Sequence, residues 1–480
     1  NNNTSLGYRT LELSTAHNNT AVGYKALLKN TTGSGTAVGF QALDANTTGV
    51  GNSAFGFEAL GANTEGINNH AFGNYALLNN TTGDGNVAMG ISSLKSNTTG
   101  EFNISIGGQS LEDNNGSFNV SIGTAALQKN TSGNHSIGIG HFALSKNTTA
   151  SSNIAIGSHA LENNTGTENT ALGYHALASN TVANQNTAIG AYSLYSNVNG
   201  DNNIAIGHDA LRNNSSGNRN VALGYHALRS NTTAQYNTAT GDRALKDNTT
   251  GQYNTANGSS ALEANQNGNY NTATGSYALS RNSSGSNNTA TGHDALRENS
   301  SGSENTAVGY DALRLNTTAS GNSAFGKSAL GATNTGSANT GSGAHSLQAN
   351  VGGNYNTAHG YTSLYKNTSG NSNTSVGHSS LSENVTGSSN TAIGYGAGDA
   401  ITTGSSNVYV GHGADASAGN VSNEIVIGSG VTGTGTNQIA LGNTSITHIK
   451  AQVNSITAYS DKRIKRDIDD SKLGLDFIMK

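Results

Sequence analysis

The sequence predicts an all-β protein, a parallel β-roll or β-helix solenoid whose coils are about 17 residues long. A glycine recurs every 16 or 17 residues from Gly7 to Gly394, and each one up to Gly377 is followed four residues later by leucine. Asn, Thr, Ser and Gly dominate the composition and proline is absent, which disfavours helices. A short fixed period that holds over most of a chain indicates a solenoid rather than several globular domains.

The recurring leucine is predicted to form the interior spine of the coils. Burying one leucine contributes roughly 1.5–3 kcal/mol, and each repeat holds few other apolar residues. Ala or Ser usually precedes the leucine and allows successive coils to approach closely. Spine positions include Leu27, Leu43, Leu60, Leu177, Leu245 and Leu313.

Within each repeat, the Thr-Ala-Val/Ile segment before the glycine alternates like a β-strand. Asn-Thr-Thr-Gly is typical of a turn, and the segment ending in Ala-Leu is either a second short strand or a tight bend. Some 24 coils stacked about 4.8 Å apart give a rod on the order of 115 Å. Stacking places identical residues above one another, so aromatic residues after the glycines should form a partial column. The same argument predicts an amide ladder through Asn30, Asn46, Asn180 and Asn248.

One leucine column is a thin core, because ordering each residue costs ~1 kcal/mol or more. The residue before the glycine is apolar in most repeats, but one stretch carries Thr240, Asn257, Thr274 and Thr291 there. We expect this position to face a subunit seam or a partly wet surface. The chain is therefore expected to be a homo-oligomer, and a parallel homotrimer is the usual arrangement for such rods.

Composition argues against several other classes of protein. The formal net charge is -5, so no basic surface for nucleic acid is expected. The sequence contains no run of ~18 apolar residues, so no membrane span is predicted. No cofactor is predicted either. Histidines such as His175 and His226 follow the glycines without a His-x-His pair or a carboxylate repeating beside them, so we predict unliganded histidines and no metal site.

The Asn-Thr-Thr and Asn-Ser-Ser turns have the form of N-glycosylation acceptors. Two interpretations stay open, a glycosylated asparagine or a turn and ladder residue, and the regularity of the repeat favours the second. The positions are Asn30, Asn46, Asn80, Asn97, Asn147, Asn231, Asn248 and Asn282.

The repeat changes after Gly394. Gly398 stands where leucine is expected, apolar residues become denser, and a strand is predicted over 444–453. Charge first clusters at 460–468. We therefore divide the chain into a solenoid shaft (1–394), a tighter intertwined β neck (395–458) and a distinct C-terminal segment (459–480).

The C-terminal segment carries a specific resemblance. Tyr459-Ser-Asp-Lys-Arg-Ile-Lys-Arg-Asp-Ile468 resembles the opening of the intramolecular chaperone domain of phage tail fibres and tailspikes, the endosialidase type (peptidase family S74). In that family the chaperone assembles the trimer and then cuts itself off between Ser and Asp. The resemblance implies that Ser460 is the nucleophile, Lys465 the base and Ser460–Asp461 the bond that is cut.

The repeated Asn-Thr-Ala-Val/Ile-Gly is similar to the head repeats of trimeric autotransporter adhesins, which are left-handed parallel β-rolls. Together the resemblances imply an extracellular fibre shaft on a virion tail or cell surface that supports host attachment. Beyond one possible self-cleavage, no enzymatic activity is predicted. Two alternatives stay open: an adhesin whose shaft binds host-surface glycans or another receptor directly, and a polysaccharide-degrading tailspike, for which no catalytic carboxylates can be named.

Overall fold

A computed structural model describes residues 2–448, and in this range every regular element is a β-strand. The strands are β1 (Thr4–Leu6), β2 (Thr20–Val22), β3 (Ser34–Val38), β4 (Val50–Phe55), β5 (His70–Phe72), β6 (Val87–Met89), β7 (Ile104–Ile106), β8 (Val120–Ile122), β9 (Ile137–Ile139), β10 (Ile154–Ile156), β11 (Thr170–Leu172), β12 (Thr187–Ile189), β13 (Ile204–Ile206), β14 (Val221–Leu223), β15 (Thr238–Thr240), β16 (Thr255–Asn257), β17 (Thr272–Thr274), β18 (Thr289–Thr291), β19 (Thr306–Val308), β20 (Ser323–Phe325), β21 (Thr340–Ser342), β22 (Thr357–His359), β23 (Thr374–Val376), β24 (Thr391–Ile393), β25 (Val408–Val410), β26 (Ile425–Ile427) and β27 (Ile439–Leu441).

These 27 strands form one parallel sheet in which each strand pairs with the next one along the chain. The register places equivalent residues side by side, so that Thr238 pairs with Thr255 and Ala239 with Ala256. At about 4.8 Å per step the stack is about 125 Å long. The predicted all-β parallel solenoid with coils of about 17 residues is confirmed.

The three-residue strands from β2 to β26 turn their middle residue inward and their first and last residues outward. In β15, Ala239 is fully buried, whereas Thr238 is exposed and Thr240 is partly exposed. The spine leucines complete this narrow interior. Leu27, Leu43, Leu60, Leu177, Leu245 and Leu313 are all 0% exposed and belong to one continuous core.

The segment between the glycine and the leucine is a bend, not a second strand. Arg243 and Leu245 both have positive φ, 55° and 51°, and the equivalent residues of the other repeats do the same. A left-handed conformation costs a non-glycine residue about 1 kcal/mol or more. Burial of the leucine side chain offsets that cost, since this backbone turn is what points it inward.

The recurring glycines mark a close approach of the backbone between neighbouring coils. Gly241 has a φ of +133°, and a Cβ on it would lie 2.5 Å from the carbonyl oxygen of Gly258 in the next coil. No other residue fits both that backbone conformation and that spacing. The period of the sequence is therefore a steric requirement of the stack.

The interior is rebuilt where the leucine is lost. A side chain at Gly398 would lie 2.6 Å from Cδ2 of Tyr409, which is buried at the middle of β25 and fills the space. Burial raises the pKa of Tyr409, whose hydroxyl donates to Oε2 of the buried Glu424 at 3.4 Å. The backbone N–H of Gly435 donates to Oε1 of Glu424 at 2.8 Å.

Strands β25–β27 continue the same parallel sheet beyond residue 394. The strand predicted over 444–453 is wrong for its described part, because Thr444–His448 form only a turn and irregular chain. Its remaining residues lie outside the described range.

Candidate functional site

A buried asparagine ladder runs through the turns. The side-chain amide of Asn248 donates to Oδ1 of Asn231 at 3.0 Å and to the carbonyl oxygen of Gly251 at 2.9 Å. Its own Oδ1 accepts from Asn265 at 2.7 Å. Asn30, Asn46, Asn180 and Asn248 are all buried in this ladder.

A second asparagine ladder, which the sequence analysis did not single out, precedes the strands. The backbone N–H of Asn237 donates to Oδ1 of Asn220 at 3.0 Å, and its side-chain amide donates to the carbonyl oxygen of Gly251 at 2.9 Å. The signal was present as the asparagine before each Thr-Ala-Val segment. Both ladders satisfy polar groups that would otherwise be buried without partners.

Burial settles the two interpretations of the glycosylation-like turns for the folded chain. Asn248 is 0% exposed, and both of its amide protons are donated within the solenoid. Asn46 is bound in the same way, to Asn30 and Gly49. These side chains cannot carry a glycan in the folded coils, so they are turn and ladder residues.

Aromatic ladders cover parts of the outer surface. After the glycines, Phe40 stacks on Tyr24 and Phe57 with ring centroids 5.0 and 4.9 Å apart. These rings form part of the aromatic column that the sequence predicted. Before the strands, Tyr253 stacks on Tyr236 and Tyr270 at 4.9 and 5.0 Å, with ring planes within 5°. The flat faces inside each ladder are covered by neighbouring rings, so the ladder offers ring edges and hydroxyls to a ligand.

One cluster gathers titratable groups from two coils. Oδ2 of Asp209, a buried residue, lies 3.6 Å from Nδ1 of His208 and 3.3 Å from Nε2 of His226. Two guanidinium groups face the same carboxylate, Arg212 at 3.2 Å and Arg229 at 3.6 Å. His208, Asp209 and His226 are close enough together to hold a metal ion.

The arginines argue against a metal in this cluster, since they place two positive charges beside the one carboxylate ligand. Burial, followed by the charge of Arg229, lowers the pKa of His226. The cluster is thus a buried carboxylate neutralised by cations. No carboxylate repeats beside the histidines, but two of them have an aspartate next in the chain, Asp209 after His208 and Asp294 after His293.

Asp209→Asn is expected to destabilise the coils around β13 and β14 by about 1–3 kcal/mol, because it leaves Arg212 and Arg229 facing each other without a counter-charge. Asparagine tolerates the positive φ of this position, 58°. Hydrogen exchange of β13 and β14 amides measures the effect. Asp242→Asn, on an exposed carboxylate, is the control, and equal exchange in both variants would contradict the role of Asp209.

A pair of carboxyl groups lies near the rebuilt interior. Burial and a hydrogen bond with Asp415 raise the pKa of Asp399 to about 6. Oδ1 of Asp415 also accepts from the backbone N–H of Ala400 at 3.0 Å. A carboxyl group with a raised pKa holds its proton more tightly in the folded state than in the unfolded state.

Stability of these coils should therefore fall as the pH rises from about 4 to about 6, since the folded state gives up the proton last. Asp399→Asn should remove that loss: the variant should match the native chain near pH 4 and protect β25 amides better above pH 6. Hydrogen exchange at matched pH checks this, with Asp242→Asn as control. A variant less protected at pH 7 would contradict the assignment.

Clefts on the described coils are open and shallow. One of about 480 Å³ lies over Leu315, Ala332 and Val351, and a polar one of about 280 Å³ lies beside Arg219 and Tyr236. Neither combines an enclosed cavity with a nucleophile and a base. Residues 2–448 contain no helix that could serve as a membrane span.

The predicted cleavage residues Ser460, Asp461 and Lys465 lie outside the described range, as does the whole segment 459–480. Comparison with protein-family models gives no match for this chain, and comparison with curated proteins gives none either.

Proposed function

We propose that the chain is the structural shaft of an extracellular fibre, of the kind carried by phage tails or bacterial surfaces, which supports attachment to a host or another surface. The observation that carries this proposal is the uninterrupted stack from β1 to β27. A stack of near-identical coils gives length and stiffness. It is poorly suited to an enzyme, because no insertion among the coils of residues 2–448 builds a pocket.

The stack is tied together at every step. Backbone hydrogen bonds of the parallel sheet join each coil to the next, and two asparagine ladders add side-chain hydrogen bonds at most of the steps. In such a repeat each coil contacts mainly its neighbours, so stability grows with the number of coils. The shaft would act as a spacer of about 125 Å.

Exposed apolar residues on the outer face of the sheet support the proposal that the chain self-associates. In every strand from β1 to β14 the last residue is apolar, and examples such as Met89, Leu172 and Leu223 are 44–45% exposed. Covering one such side chain contributes about 1 kcal/mol, so the fourteen strands offer about 14 kcal/mol as an upper estimate. That is comparable with the ~4–15 kcal/mol cost of association, and a parallel homotrimer is the proposed assembly.

For the C-terminal segment we keep the role implied by the chaperone resemblance. A chaperone that begins at 459 would align the chains, and Ser460 with Lys465 would cut the Ser460–Asp461 bond once.

The alternative of direct glycan binding rests on the hydroxyl edges of Tyr236, Tyr253 and Tyr270, which are 38–58% exposed. Binding of the purified shaft to a glycan array would favour this alternative over a purely structural shaft. Loss of that binding in a triple Tyr→Phe variant would place it on these hydroxyls.

Sedimentation and electron microscopy of the full chain test the proposed function. We expect rods about 125 Å long that contain several copies. Monomeric rods would contradict the assembly, and globular particles would contradict the shaft itself.

A further inference from the structure

The outer face of the sheet changes character over four consecutive strands. The last residue is apolar from β1 to β14 and becomes Thr240, Asn257, Thr274 and Thr291 in β15–β18. Thr240 is partly exposed and the other three are exposed. Apolar residues return with Val308 in β19. We call the four positions from Thr240 to Thr291 the polar rungs; two further polar ends, Ser342 in β21 and His359 in β22, lie beyond them.

The polar rungs lie off-centre, with fourteen strands before them and nine after. A second copy laid on this face in the reverse direction would place β15–β18 against β13–β10. Their last residues are Ile206, Ile189, Leu172 and Ile156. A parallel copy without a shift places each polar rung beside its own equivalent.

Away from the polar rungs and the polar ends Ser342 and His359, the shaft does little to prevent a shift by whole coils. The repeat is 17 residues at every step from Gly173 to Gly394, so a copy displaced by one coil presents nearly the same shape. An apolar face alone would then be satisfied in several registers. A shift by one coil sets Thr240 beside Leu223 of the neighbour and Val308 beside its Thr291, which strips water from hydroxyls without supplying partners.

We propose that the polar rungs fix the register in which copies of this chain associate, parallel and unshifted, with their outer sheet faces turned to a common axis. The inference rests on the self-association in the proposed function. It adds the identity of the residues that determine how the copies align. A polar residue in an apolar seam specifies register at some cost in stability, as buried asparagines do in coiled coils.

Cysteine cross-linking tests the alignment directly, since the chain contains no cysteine. Val308→Cys alone should form dimers on oxidation, because unshifted parallel copies bring equivalent residues together. Co-expression with a tagged Ser342→Cys chain should give no cross-link to Val308→Cys. In unshifted copies these two positions are two coils apart, about 10 Å along the axis, which exceeds the ~7 Å reach of a disulfide. Co-expression with Ile139→Cys reports a reversed alignment.

A fourfold variant tests whether the polar rungs determine the register. Thr240→Ile, Asn257→Ile, Thr274→Ile and Thr291→Ile together should leave the copies associated and at least as heat-resistant. Cross-links between Val308→Cys and Ser342→Cys should then appear in this background. If the four-isoleucine chain keeps only the unshifted cross-link, register is set elsewhere and the inference falls.

The outcomes separate the two proposals. A native chain that sediments as a monomer defeats the self-association and the register inference with it. A native chain that associates but cross-links only to Ile139→Cys or Ser342→Cys defeats the register inference alone and leaves the shaft intact.

Discussion

Leu245→Asp is expected to open the solenoid around β15 and to abolish heat-resistant oligomers on a gel. Leu245 is fully buried in the continuous core. Truncating such a leucine costs about 2–5 kcal/mol, and an unpaired carboxylate in its place adds several more. Limited proteolysis and hydrogen exchange should locate the opening in the coils on either side of β15.

Leu315→Asp is the matched control, because Leu315 is 40% exposed on the outer surface. It should change stability by less than about 1 kcal/mol. If heat-resistant oligomers survive Leu245→Asp as well as they survive Leu315→Asp, the burial of the leucine spine is contradicted.

Gly241→Ala should separate two coils that the native chain holds in contact. The φ of Gly241 is +133°, a region that alanine rarely adopts, and the new Cβ would lie 2.5 Å from the carbonyl oxygen of Gly258. Backbone strain alone costs about 1–3 kcal/mol, and the contact with rigid backbone adds to it. We expect faster exchange of the β15 and β16 amides and a lower midpoint of thermal unfolding.

Gly108→Ala serves as its counterpart, because a Cβ at Gly108 meets nothing within 4 Å. This substitution should be neutral or stabilising by up to about 1 kcal/mol, since alanine restricts the unfolded chain. Equal loss of stability in both variants would show that the stack does not depend on close approach at the recurring glycines.

The features that the sequence predicted are those that occur once per coil at a fixed position. Because the register is constant, a residue that recurs once per coil forms a column along the stack. The period therefore predicts the columns that contain Leu245 and Asn248 without knowledge of the backbone path. The left-handed conformation of Leu245 could not be predicted, because leucine rarely adopts it and only the closed coil imposes it.

Contacts between unlike residues of neighbouring coils were also missed. Tyr409 fills the space beside Gly398 from the neighbouring strand, eleven residues later in the chain. Asp209 meets His226 only because adjacent coils stack in register. The sequence lacks a signal for such contacts until the register is known. The polar rungs likewise can be interpreted only once the structure places them on one face of the sheet.

A cryo-electron microscopy reconstruction of the full chain, at a resolution that separates adjacent coils, tests the central claim most directly. We expect a rod of coils about 4.8 Å apart, with the leucine column enclosed and the apolar ends of β1–β14 turned toward other copies. Helices, separate globules or an outward-pointing column of spine leucines within residues 2–448 would contradict it.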